Sequence, residues 1–287
     1  MGLIKWTTSP WGQLIPEHVA WYLIWVAIIA GFCFMIVHAL YIRAFSPRKV
    51  FAKNEAPVAP EQVPERVPRH SLAARIFHWV MAAAMFTLLF TAFLPKLGVH
   101  FNWILYHWIA GVVLTISIVF HVIHSSFFQD AGSIWPDKTD IRDAFRRLLR
   151  FTGKPAPPPT RFAKYPLENK FYHLCIVLAG LAVIGTGVFM LKRINTPFFT
   201  RNPYVFSDMT WGLMYVLHGL AGIALIALVI VHVYMGLRPE KMPITKSMIF
   251  GWMSRDFYLE EHDPKRWAIK QSKQSQKKRG LAASDAD

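Results

Sequence analysis

Five long, almost unbroken apolar stretches alternate along the chain with short, strongly basic segments. They run roughly from Val19 to Ile42, Leu72 to Leu94, Trp103 to Phe128, Leu167 to Leu191 and Met209 to Leu237. A helix needs about 20 mostly apolar residues to cross the hydrocarbon core of a bilayer, so each stretch predicts a transmembrane helix. Between the third and fourth, Asp140–Phe151 alternates apolar and basic positions at helical spacing. That pattern predicts a short amphipathic helix at the headgroup surface. Asn54–Pro68, rich in Pro, Glu and Val, reads as an extended connector, and Gly153–Thr160 is a second linker with three consecutive prolines. The last ten or so residues read as disordered. The first stretch is too long for a cleaved signal peptide, and neither a basic segment before it nor an A-x-A site after it is present. The expected fold class is an all-α membrane protein: an N-terminal extra helix (1–50), a cytoplasmic linker (51–70), a four-helix bundle (71–240) and a cytoplasmic tail (241–287).

Composition sharpens this picture. Hydrophobic residues make up 54% of the chain and charged residues 17%, yet the net charge is +15. Soluble domains carry about 25% charged residues. Nucleic-acid binding would need a soluble basic face, and here the basic residues lie between apolar runs. Their placement instead sets orientation: 27 of the 32 Lys and Arg residues fall on one side of the five spans. By the positive-inside rule that side is cytoplasmic. The N-terminus is then outside, the C-terminus inside, and the expected location a bacterial cytoplasmic membrane. Cys33 and Cys175 are far apart in apolar runs and no CxxCH occurs, which excludes c-type haem attachment and a Cys-ligated cluster. Both read as small buried hydrophobes.

Twelve histidines carry the chemistry, most of them in or at the edges of spans. An ionisable side chain inside a span is costly and points to function, and neutral imidazole is an axial ligand for haem iron. His218 and His232 lie 14 residues apart, about 21 Å along a helix and within about 40° of four full turns. They share one helix face at two depths, as two stacked haems would require. His107 and His121 repeat the spacing, and His78 opens the second span. By depth, His107 and His218 share an outer haem; His232 pairs with His78 or with His121. Gly111, Gly222 and Gly236 each follow a candidate ligand by four residues, on the same helix face. A glycine there leaves room for a porphyrin edge, although close helix packing also favours glycine. His18 and His100 read as outer residues, His70 and His262 as cytoplasmic ones. His38, His124 and His173 sit near the cytoplasmic interface, placed to meet propionates or to exchange protons with a quinone. Zinc or copper would need three or four converging ligands, and a di-iron site would need acidic residues that the spans lack.

RIFHW (Arg75–Trp79), YHWIAG (Tyr106–Gly111), LHGLAG (Leu217–Gly222), VHVYMG (Val231–Gly236) and WPDKTDI (Trp135–Ile141) resemble the gamma subunit of bacterial formate dehydrogenases and the related cytochrome b subunits of nickel–iron hydrogenases and thiosulfate reductases. The resemblance covers roughly Arg69–Arg266. It implies four helices holding two haems b, the outer between His107 and His218 and the inner between His78 and His232. The R-x-x-H-W motif favours His78 over His121, and Arg75 is implied as a propionate partner. A quinone, menaquinone or ubiquinone, is implied near KYPLENK (Lys164–Lys170), with Asn169 and His173 as its candidate contacts; Pro166 stands where the family has a polar residue. The implied partners are an iron–sulfur or multihaem subunit and a catalytic subunit on the outer face. Implied function is electron transfer between those partners and quinone. The reverse flow, from quinol to a reductase, uses the same residues. A transporter would show paired helix breaks, which are not evident, and a haem-free anchor would use the histidines for packing alone.

Overall fold

The computed structural model describes residues 2–45, 51 and 60–269. The first part of the Asn54–Pro68 connector, 54–59, and the expected disordered end therefore lie outside the described residues. Among the described residues, five helices are long and apolar enough to cross a membrane. They are α1 (Tyr22–Phe45), α2 (Leu72–Phe93), α3 (Trp103–Phe128), α5 (Leu167–Met190) and α6 (Asp208–Leu237); between α3 and α5 lies the amphipathic helix α4 (Lys138–Phe151). Serine side chains start two of them: Ser71 caps α2 at the Ala74 amide, and Ser207 caps α6 at the Thr210 amide. Lys138 follows a capping box in which Asp137 and Asp140 bond each other's backbone amides, which sets where α4 begins. Apolar residues of α4 (Ile141, Phe145, Leu148) point outward, while Asp140 and Asp143 face the protein.

The first helix begins at Tyr22 rather than near Val19, because an unexpected hairpin precedes it. β1 (Ile4–Thr8) pairs antiparallel with β2 (Leu14–Val19) across a turn containing Gly12. Pro16 and Val19 of β2 press onto α6 where Gly212 and Gly219 expose the backbone. A Cβ on Gly212 would lie 2.1 Å from the Pro16 carbonyl oxygen, so only glycine permits the contact. Val19, Ile24 and Ala27 then join Val216, Ile223 and Ile226 in one buried cluster, strapping α1 along α6.

Elsewhere α2 packs along α3 and α5 along α6, while the two helix pairs touch each other sparsely. Cys33 and Cys175 are exposed on helix faces, contrary to the expected burial. Membrane-length helices bury little of their apolar surface against one another here, so a small apolar side chain on them need not be covered by protein.

Residues 242–269, assigned by sequence to the tail, carry α7 (Met242–Phe250), β4 (Trp252–Ser254) and α8 (Arg255–Glu261). β4 pairs with β3 (Arg66–Pro68), in the connector, and buries Val63, Val67, Met253 and Tyr258 in a second core. Gly251, at φ 87°, makes the turn between α7 and β4; a Cβ there would sit 2.9 Å from the His70 carbonyl oxygen. His262 is 1% exposed rather than a surface residue. Burial, then the neighbouring Arg69 charge, pushes its ring down to about 3. It stays neutral and its Nδ1 bonds the Ala163 carbonyl at 2.7 Å.

Candidate functional site

Three pairs of imidazoles face each other across the sparse contact between the helix pairs. His107 of α3 meets His218 of α6 with ring centres 6.2 Å apart and planes at 64°. His78 of α2 meets His232 of α6 at 6.4 Å and 51°. His121 of α3 meets His173 of α5 at 6.3 Å and 71°. His232 is thus opposite His78, and His121 has a different partner.

The spacing has a simple chemical meaning. Two metal–nitrogen bonds of about 2 Å in line, with ring centres about 1 Å behind each nitrogen, separate the ring centres by about 6 Å. Each pair therefore has room for one axially ligated metal atom. Among the described residues no group of three or more His, Cys, Asp or Glu side chains converges as a conventional metal cluster would.

The His107–His218 pair is oriented by two threonines that sequence alone did not single out. Thr91 Oγ1 lies 2.7 Å from the Thr87 carbonyl, one turn back on its own helix, and 2.8 Å from His107 Nδ1. A hydroxyl has one proton to give. With that proton donated to the carbonyl, the oxygen accepts from Nδ1–H, and the lone pair of His107 is on Nε2. Thr186 repeats the arrangement: it donates to the Ala182 carbonyl and lies 2.9 Å from His218 Nδ1. Gly187 makes room for this ring, since a Cβ there would be 3.3 Å from His218 Cε1. A polar residue inside each apolar run was the available signal, but its target is on a neighbouring helix.

The inner pair is held differently. Tyr172 stacks on His232 at 5.0 Å and donates its hydroxyl to the Leu228 carbonyl, and Trp79 meets His78 edge-on. Among the described residues, no side-chain hydrogen bond engages His78 or His232. Arg75 donates Nη1 to the Ile249 carbonyl of α7, and its Nε is buried without a partner among the described residues. This guanidinium lies one turn from His78.

The glycines divide. Gly222 has nothing within 4 Å of a would-be Cβ, Gly111 meets Leu88 at 3.9 Å, and Gly236 meets Thr245 Oγ1 at 3.5 Å. Thr245 also donates to the Gly236 carbonyl, so approach of α7 accounts for that glycine. Asn169 is half-buried in the first turn of α5, one turn before His173. His38 bonds Tyr234 of α6 at 3.0 Å, and His124 bonds Gln129 at 3.1 Å.

Lys170 is buried behind Asn169, with Nζ 2.6 Å from Asp140. Arg266 adds bonds of 2.8 Å to Asp137 and Asp140. Burial alone would raise the Asp140 carboxyl, but hydrogen bonds from Lys170 and Arg266 outweigh it and hold it below the ordinary carboxylate range. This network ties α4, the start of α5 and the C-terminal segment together.

Two comparisons bear on identity. Residues 69–251 match the family model for prokaryotic cytochrome b561. Over 214 residues, the chain is also 25% identical to the formate dehydrogenase cytochrome b556 subunit of Haemophilus influenzae, covering 70% of this chain and 82% of that one. The matched region begins just before α2 and ends after α7, leaving out the hairpin and α1. With five membrane-length helices and imidazoles paired across them, the chain belongs to the prokaryotic cytochrome b561 family, membrane cytochromes of electron transport that bind haem b.

Proposed function

We propose that this chain is the two-haem membrane subunit of a respiratory oxidoreductase, carrying electrons between an outer partner and quinone. The observation that supports it most is the presence of facing histidine pairs, 6.2 and 6.4 Å apart, toward opposite ends of α6. His107 and His218 would hold the outer haem, His78 and His232 the inner one, and Arg75 an inner propionate. When bound, the haems supply one-electron carrier chemistry; the protein sets their position, ligands and surroundings. The 27-to-5 division of basic residues supports an outside N-terminus and a cytoplasmic C-terminus. The outer pair then lies nearest an extracytoplasmic partner. The Haemophilus relative is by its name a formate dehydrogenase subunit, which supports an iron–sulfur or multihaem subunit and a catalytic subunit as partners. Asn169 and His173 are proposed contacts for quinone, beside the inner pair.

Reduced-minus-oxidised spectra and a pyridine haemochrome assay of the purified chain test this reading. The expected result is two haems b per chain; none would remove it.

Thr91 and Thr186 give a finer expectation. A hydrogen bond at Nδ1 makes the imidazole a more basic ligand, and losing such a partner weakens metal binding about 10–100-fold. Thr91→Val and Thr186→Val are expected to weaken retention of the outer haem. A less basic ligand favours ferric iron less, so the midpoint potential of that haem alone should rise. Redox titration followed optically checks this; movement of both potentials, or of neither, contradicts it.

A further inference from the structure

His121 and His173 take no part in the ligation proposed above, yet they face each other at 6.3 Å like the pairs that do. All four residues of this pair and the inner pair lie within about two turns of the cytoplasmic ends of their helices. The pairs interleave: Phe77, beside His78, packs on His121 at 4.6 Å, and Tyr172, beside His173, stacks on His232 at 5.0 Å. His121 Nδ1 is buried with no hydrogen-bond partner among the described residues.

What fits between them follows from size. Rings this far apart hold their facing nitrogens roughly 4–5 Å apart, room for one atom bonded to both. Packed helices lie 8–10 Å apart, so this axis runs about 10 Å from the inner one, too close for a second porphyrin, itself about 10 Å across, at the same depth. A bare metal ion would find only two ligands here, since no larger cluster exists among the described residues. An oxygen atom that accepts from both N–H groups remains, on a flat molecule able to enter from lipid.

We propose that His121 and His173 clamp one carbonyl oxygen of a membrane quinone. The inference rests on the quinone reading above and extends it by naming His121 as the opposite wall of the site. Asn169, one turn before His173 on the same face of α5, lies about 5–6 Å along the helix, a distance close to that between the two oxygens of a para-quinone. It is placed to meet the second carbonyl. Two fixed N–H donors stabilise the negative charge that a carbonyl oxygen gains on reduction, and they are its nearest proton donors.

The test uses the purified full-length holoprotein, with menadione and decylubiquinone as probes. Saturable quenching of tryptophan fluorescence reports binding, and the pyridine haemochrome assay reports haem. His121→Leu and His173→Leu are expected to lose affinity ten-fold or more while keeping two haems. His121→Gln, which retains an N–H, recovers part of the affinity. Leucine variants that bind like wild type overturn the clamp, leaving a bound water as its occupant; loss of one haem overturns it in favour of iron ligation. If a leucine variant fails to fold, haem count and affinity in the glutamine variant decide between the same outcomes. Wild-type protein that binds neither probe removes the underlying quinone reading together with the clamp.

Discussion

With the ligands proposed above, His218→Ala is expected to remove the outer haem and His232→Ala the inner one, each taking the haem count from two per chain to one. The methyl group of alanine offers no lone pair, and a non-covalent haem keeps its place chiefly through its axial bonds. His78 and His121 separate cleanly. His78 is the residue opposite His232, so His78→Ala should mimic His232→Ala. His121 is opposite His173, so His121→Ala should leave both haems in place. Pyridine haemochrome analysis and optical titration of the four variants measure all of this. Two full haems in both His218→Ala and His232→Ala would show that iron is held elsewhere.

The second large effect lies outside the haem positions. Lys170 and Asp140 are 2% and 5% exposed at the side chain, with 2.6 Å between them. Lys170→Met leaves the Asp140 charge buried with Arg266 as its remaining partner, and breaking a buried pair on one side costs about 3–5 kcal/mol. Thermal unfolding followed by haem absorbance should show a clear loss of stability, larger than for the exposed Arg142→Met. Acid should act similarly on the wild type. The folded Asp140 carboxyl binds its proton less tightly than an unfolded one. The stabilisation it contributes is complete at neutral pH and is lost as pH falls below about 4. An unfolding temperature of Lys170→Met equal to wild type at pH 7 would show that the pair contributes nothing net.

The helices were legible because lipid imposes one rule on them: about 20 apolar residues with every backbone group bonded internally. The His218–His232 spacing was legible for a related reason, since helical periodicity converts sequence distance into depth and direction. Depth alone could not say whether His78 or His121 stands opposite His232, because both sit at one level; that placement depends on how the helices pack, which no local pattern encodes. Thr91 and Thr186 were visible as polar residues in apolar runs, but their bonds to His107 and His218 cross between helices. The hairpin at Ile4–Val19 was missed although Ser9, Pro10 and Gly12 spell a turn, because two strands so short carry little alternation. Pairing of Arg66–Pro68 with Trp252–Ser254 joins segments far apart in the sequence, and no local pattern announces it.

The seat of the first helix has a consequence for biogenesis. Among the described residues, α1 makes its main packing contact with α6, the fifth membrane-length helix in chain order. An α1 already in the bilayer must therefore wait for α6 as its mate. When α6 arrives, His218 and His232, the imidazoles proposed as iron ligands, arrive with it. Docking of α1 thus coincides with assembly of both proposed haem pockets.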